Sequence, residues 1–279
     1  MLKRLRRVSR RSAIHHSVSI AVLLIFILPL IWAASASLRQ PGLPPPRTIE
    51  WIPNPVTWSN YQRIFELLPM ARYVLNSLIV TAVAGPVSLV VASWAGLAMA
   101  QLEDPTRRRL VLFSVLLLMV PITAVWLTRF LEFRWLGLLN TRWSLMMTAF
   151  MGGSPLFVLL FYRAYRRLPA ALFDVAHLDG ASALAVWWRI ALPLSRSTIV
   201  AVAVLAFLGF WGDFIDPLMY LRSQDLYTLT IGLRQLEQLD KTNWPLLMAG
   251  TMVLVVPAVV LFLVIQRYVL QENAGPAGE

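Results

Sequence analysis

The chain has 279 residues and no cysteine, which excludes disulfides, thiolate metal sites and cysteine nucleophiles and leaves the redox compartment open. Lysine is almost as scarce. Only Lys3 and Lys241 occur, and neither follows the glycines of a phosphate-cradling GxxxxGK[ST] loop, so an ATP-hydrolysing site of that kind is not expected in this chain. The three histidines, His15, His16 and His177, make no HExxH or similar ligand spacing, so no metal site is expected. The run Gly152-Gly153-Ser154 offers a serine, but no histidine stands in an apolar run to act as its base. Small residues there suit close helix packing instead. Charge is thin as well, at 14% of residues, and it clusters between runs that have none.

Apolar surface takes its place. Hydrophobic residues make up 58% of the chain and the mean hydropathy is +0.66, against the 45–50% apolar share of ordinary soluble domains. A helix needs about 20 apolar residues to cross a ~30 Å hydrocarbon core. Runs of that kind are Ser17–Leu38, Tyr73–Leu102, Leu110–Thr128, Trp143–Tyr162, Ser197–Leu221 and Trp244–Gln266. Backbone polar groups in lipid must be satisfied within the segment, and the alternation of a membrane barrel is not visible, so the runs read as six helices of an all-α multi-pass membrane protein. The first run follows a basic stretch, Lys3 to Arg11, and ends near Ala34-Ser35-Ala36, which resembles a signal-peptide cleavage site. Its apolar length exceeds the usual h-region and five more runs follow, so an uncleaved first helix is the better reading.

The net charge of +11 raises nucleic acid as a partner, but no aromatic-basic recognition motif stands in a soluble segment. Basic residues instead orient the chain in the bilayer. With the N-terminus inside, residues 1–16, 103–109, 163–196 and 267–279 hold 15 of the 25 Lys and Arg, and the strongest bias flanks the first helix. Both termini are then cytoplasmic, as is the loop 163–196, and the Pro-rich 40–55 lies outside. The expected organisation is a basic N-terminus (1–16), a six-span domain (17–267) carrying that loop, and a short tail (268–279). PGLPPP at 41–46 reads as a stiff extended stretch and Trp58–Leu68 as a short interfacial helix.

The loop is about thirty residues long, where joining two helices needs only a few. Pro169 suits the first turn of a helix, where its missing N–H costs nothing. Gly180 can take the positive φ that ends such a helix. Ser182 can cap a second short helix, Ser182–Ile190, before Pro193 breaks the chain. At these residues the chain resembles the inner-membrane permease subunits of binding-protein-dependent ABC importers, most closely the maltose-type, carbohydrate-uptake branch. The family loop reads Glu-Ala-Ala, three residues, Asp-Gly-Ala, and a later Pro. Here Asp174-Val175-Ala176 stands at the first element, Asp179-Gly180-Ala181 matches the second, and Trp188-Arg189-Ile190-Ala191-Leu192-Pro193 closes the pattern. Asn76-Ser77, Gly137-Leu138-Leu139-Asn140-Thr141, Trp211-Gly212-Asp213-Phe214 with Pro217-Leu218, and Tyr227-Thr228-Leu229-Thr230 agree with the likeness in order.

The resemblance implies a type I importer permease fold in a bacterial or archaeal plasma membrane. It also implies a second, homologous permease, two ATPase subunits that carry the ATP and Mg, and an extracytoplasmic solute-binding protein. No cofactor is expected in this chain. Asp174, Ala176, Asp179, Gly180, Ala181 and Pro193 are the expected ATPase-coupling residues, and Asn76, Trp211, Asp213 and Asp216 the candidate pathway residues. Asp213 lies roughly 24 Å along its span, close to the outer interface. Acids inside a span are functional suspects, so an ion-coupled carrier using Asp213 and Asp216 is the rival mechanism, and a non-transporting scaffold is the second. The long loop, and the lack of a broken helix at mid-membrane, argue against the carrier.

Overall fold

The computed structural model describes residues 10–48 and 50–273. The basic residues Lys3 to Arg7 and the tail from residue 274 lie outside the described residues. In chain order the helices are α1 (Arg10–Ser37), α2 (Ser59–Leu67), α3 (Met70–Gln101), α4 (Asp104–Met119), α5 (Ile122–Trp135), α6 (Trp143–Met146) and α7 (Pro155–Tyr165). They continue as α8 (Ala170–Leu178), α9 (Ala183–Val186), α10 (Leu192–Leu194), α11 (Arg196–Trp211), α12 (Ile215–Tyr220), α13 (Leu229–Leu239) and α14 (Trp244–Asn273). Among the described residues there is no strand, and five apolar stretches are long enough to cross a membrane, or six if the bent pair α4–α5 is one span.

Three of the six expected runs are interrupted. Leu110–Thr128 is not one straight helix: α4 and α5 meet at 94° around Val120-Pro121. Proline forces the residue before it out of the α region and brings no N–H, and Val120 is accordingly extended (φ −73°, ψ 119°). With one span broken, only the long loop still speaks against an ion-coupled carrier. The run Trp143–Tyr162 is α6, a tight 3-10 stretch (Met147–Met151) and α7, separated where Gly152 and Gly153 both take positive φ. Ser154 then caps α7 through its hydroxyl, with Pro155 in the first turn. The run Ser197–Leu221 divides at Gly212 into α11 and α12.

The chain forms two compact units, Met1–Leu68 with Leu233–Val253, and Pro69–Gly232 with Leu254–Glu279. In the first, α2 is the short helix expected over Trp58–Leu68. Its Asn60 donates to the carbonyls of Ser37 (2.9 Å) and Arg39 (2.6 Å), and Tyr61 shares a hydrogen bond with Ser37. The Pro-rich stretch is tied down by Gly42 N–H on Asn243 Oδ1 and by Trp244 N–H on the Leu43 carbonyl. Helix α1 exposes its apolar side chains from Val18 to Ile31, as a lipid-facing span does.

In the second unit α3 is the central helix. Its Gly96 allows a close crossing: a Cβ there would lie 2.7 Å from Phe161 Cβ and 2.8 Å from the Tyr162 backbone nitrogen of α7. Ala92, Gly96 and Ala100 recur every four residues on α3, the small-residue spacing that lets membrane helices approach backbone to backbone. A buried cluster of Ala92, Leu97, Phe161, Tyr165, Trp187 and Val202 joins α3, α7 and α11 to the segment after α8. A second cluster gathers Val80, Ala84, Phe133, Leu145, Ala149 and Tyr220 at the other end of α3.

Candidate functional site

The loop forms the helix–turn–helix its sequence implies, and its turn is a Schellman closure. Ala181 N–H reaches back to the Ala176 carbonyl (2.9 Å) and Gly180 N–H to the His177 carbonyl (3.0 Å). These satisfy the last carbonyls of α8, as the motif requires. Gly180 has φ +72°, and no atom lies within 4 Å of where its Cβ would be. Glycine is therefore required there by backbone conformation, with no part of this chain crowding it. Ser182 Oγ then accepts the Ala185 amide at 3.3 Å and starts the second helix.

That second helix runs past the expected Ile190, from Ala183 to Leu194, with a π-helical turn over Trp187–Ala191. Leu192 N–H bonds the Trp187 carbonyl, five residues back. Pro193 was expected to break the chain but sits inside the helix. A proline clashes with the carbonyl four residues earlier in a regular α-helix, and the wider π turn just before it relieves that contact. The break comes at Ser195 (φ −116°), whose hydroxyl donates to the Ala191 carbonyl at 2.9 Å.

Two faces of the loop are sharply different. Ala176 and Trp187 are buried, at 7% and 6% exposure, and Phe173 packs on the core cluster around Phe161 and Tyr165. Leu172, Val175, Leu178, Leu184 and Trp188 are exposed, with Leu178 at 86% and Trp188 at 65%. Asp174, His177 and Asp179 are exposed too. Of the expected coupling residues, Asp174, Asp179 and Gly180 stand on the open surface, while Ala176 sits inward. The bulk that Val175 adds to the motif points outward, since that side chain is 56% exposed. Beside α8, a cleft of about 430 Å³ opens between Gln101, Arg107, Tyr165, Arg166, Asp174 and His177. The two short helices thus present a patch of exposed apolar side chains, the kind of surface that marks an interaction site.

The candidate pathway residues fall into two groups. Asn76 is fully engaged: its amide donates to the carbonyls of Asp225 (2.8 Å) and Tyr227 (2.9 Å), and its oxygen accepts Arg142 Nη2 at 2.8 Å. Trp211 is buried, donates to the Leu254 carbonyl (2.8 Å) and stacks on Phe207. Both hold the unit together. Asp213 caps α12, its carboxylate accepting the amides of Ile215 (3.1 Å) and Asp216 (3.3 Å). Asp216 pairs with Arg129 of α5 at 3.0 Å, the two side chains being 13% and 19% exposed. The two residues are 87 positions apart, and a contact over that distance leaves no local trace in sequence. A further polar knot holds the 137–142 turn. Asn140 (φ +58°) accepts the amides of Arg222 and Ser223 and donates to Ser223 Oγ. Among the described residues no group of acidic and histidine side chains could hold a metal ion.

Residues 88–272 match the family described as the binding-protein-dependent transport system inner membrane component. The arabinooligosaccharides transport system permease protein AraQ of Halalkalibacterium halodurans is 32% identical over 254 residues, covering 89% of each chain. The diacetylchitobiose uptake system permease protein NgcG of Streptomyces coelicolor is 29% identical over 262 residues, 92% of this chain and 86% of its own. Among solved structures, a bacterial ABC transporter involved in import of the acidic polysaccharide alginate has a chain that superposes with a TM-score of 0.73. The identity is 18%, and the match covers 96% of this chain and 99% of that one.

Proposed function

Because this chain belongs to the family of binding-protein-dependent transport system inner membrane components, we propose that it lines half of the pathway of an ATP-driven importer and receives the force of a separate ATPase through its long loop. It is a multi-pass inner-membrane permease subunit with the type I importer fold. The solute is a sugar, oligosaccharide or polyol, a reading supported by the oligosaccharide names of its relatives. Both termini and the loop face the cytoplasm, in line with the Lys and Arg bias. A homologous permease completes the pathway, two ATPase subunits carry ATP and Mg, and an extracytoplasmic binding protein delivers solute. ATP hydrolysis belongs to those other chains, since no phosphate-cradling loop stands in this sequence.

The observation that carries the reading is the two-faced loop. Its inner face is fixed to the core cluster, and its outer face offers Leu178 and Trp188 beside exposed Asp174. Dimerising ATPases draw the two loops of a permease pair together, the pathway opens outward, and hydrolysis resets it. Transport needs two states of different solute access, and ATP supplies the bias between them. Ala176 and the turn at Asp179-Gly180-Ala181 set the surface that docks, and the π turn lets the helix pass Pro193 on its way to α11. Asp213 and Asp216 stand at the far end of that span and act there as a capped turn and an ion pair beside the outer mouth.

The absence of cysteine makes the test clean. Val175→Cys and Leu178→Cys, each the only thiol in the chain, should cross-link to the ATPase subunit in intact membranes, and a homologous six-span subunit should co-purify. Failure of both positions to capture an ATPase would remove the coupling role.

A further inference from the structure

The loop carries adjacent tryptophans that face opposite ways. Trp188 is exposed, whereas Trp187 is buried with its ring 5.8 Å from that of Trp188. Trp187 Nε1 donates to Ser93 Oγ of α3 at 3.0 Å, a bond buried at both ends and spanning 94 residues of sequence. Ser93 in turn donates its hydroxyl proton to the Val90 carbonyl (2.9 Å), so its oxygen is left free to accept the indole. Trp94 meets the Trp187 ring edge-on at 5.3 Å. The π turn begins at Trp187 itself, and its carbonyl holds Leu192 N–H. One residue therefore joins the partner-facing tryptophan, the irregular turn and the central helix.

We propose that Trp187 is the positioning residue that makes the loop and α3 move as one body, with the Trp187–Ser93 hydrogen bond as the joint. The proposal rests on the coupling role assigned above and names the route by which displacement of the loop reaches the pathway. Apolar packing alone lets side chains slide between rotamers, whereas an aligned buried hydrogen bond fixes both distance and direction. An unsatisfied indole N–H is costly in an apolar surround, so the joint resists separation under load. Trp188 supplies the contact with the partner, and Trp187 carries it inward.

The test uses the assembled transporter with spin labels at Leu178→Cys on the loop and Leu75→Cys on α3, both exposed positions. Their separation is read by pulsed electron paramagnetic resonance with and without Mg-adenylyl imidodiphosphate. In the parent chain the separation should be unchanged by nucleotide. Trp187→Phe keeps a ring and loses the N–H, and Ser93→Ala loses the acceptor; in each, nucleotide should shift or split the separation. Ser93→Thr keeps the hydroxyl and should behave as the parent. ATPase cross-linking through Val175→Cys is followed in parallel samples of the same variants that carry no spin label. Loss of that cross-link in the parent chain would sink the coupling reading itself. A cross-link retained with a nucleotide-invariant separation in both variants would sink only the joint. A separation that already changes in the parent chain would overturn the joint, and so would failure of both variants to assemble, which would make the bond a requirement of folding.

Discussion

Replacing Gly180 by asparagine, alanine and valine separates backbone conformation from crowding at the tip of the loop. The residue sits at φ +72° with open space where a Cβ would be, so a substitution meets strain and no clash within this chain. A Cβ in the left-handed region costs about 1–2 kcal/mol, and asparagine bears it more easily than other side chains. Against that stand the two closing bonds, Gly180 to His177 and Ala181 to Ala176, worth about 0.5–1.5 kcal/mol each. The two sides nearly balance for alanine, so its loop should hold the native turn only part of the time. At balance the turn is formed about half of the time, and since apparent affinity falls in proportion to that fraction, the loss is about twofold. Docking of the ATPase subunit to the chain in nanodiscs should therefore weaken slightly for asparagine, by roughly that factor for alanine, and most for valine, whose branched side chain is a genuine outlier at positive φ. Membrane insertion should be unchanged in all three, while uptake and solute-stimulated ATP hydrolysis follow the docking order. Equal losses for asparagine and alanine would refute the reasoning, because crowding against the partner and not φ would then be the cause.

Two other outcomes follow from the geometry. Breaking the Arg129–Asp216 pair by Asp216→Asn or Arg129→Gln should lower the thermal stability of the purified chain by about 3–5 kcal/mol, while the paired change Arg129→Met with Asp216→Leu should recover most of it, as measured by denaturation in detergent. A loss of uptake in the stable double variant would show that the pair also acts in the pathway. Reporters active only outside the membrane should be active when fused near Glu50 and Asp240 and silent after Glu279, and the reverse pattern would invert the orientation.

Much of this fold was legible because the bilayer sets a length that sequence must meet. The run Tyr73–Leu102 falls within three residues of α3 at both ends, the run Ser17–Leu38 ends one residue past α1 but starts seven inside it, and α14 starts at the expected Trp244. The breaks were not anticipated, although Val120-Pro121, Gly152-Gly153-Ser154-Pro155 and Gly212-Asp213 stand in plain view. Counting apolar residues averages over two or three positions, and those few positions decide whether a run is straight. The 94° bend at Pro121 has the largest consequence. It turns α5 so that Arg129 meets Asp216, which gives one of the two suspect acids a partner.

The loop shows the opposite balance. Its turn was readable because Asp179-Gly180-Ala181 encodes a local closure, six residues long, that needs no distant contact. The π turn was not, because its cause is divided between sequence and packing. Pro193 forbids a regular α-helix through Arg189, which is local, but the direction in which the helix yields depends on Trp187 being held at Ser93. A chain with the same proline and no indole anchor would be free to end its helix at Pro193, as the sequence alone implies. Trp188, next to that anchor, stands exposed, as Leu178 does on α8. A partner that touches both residues would grip two helices at once, so a pull on the loop would reach α11 across the break at Ser195 and, through the proposed joint, α3 by way of the indole.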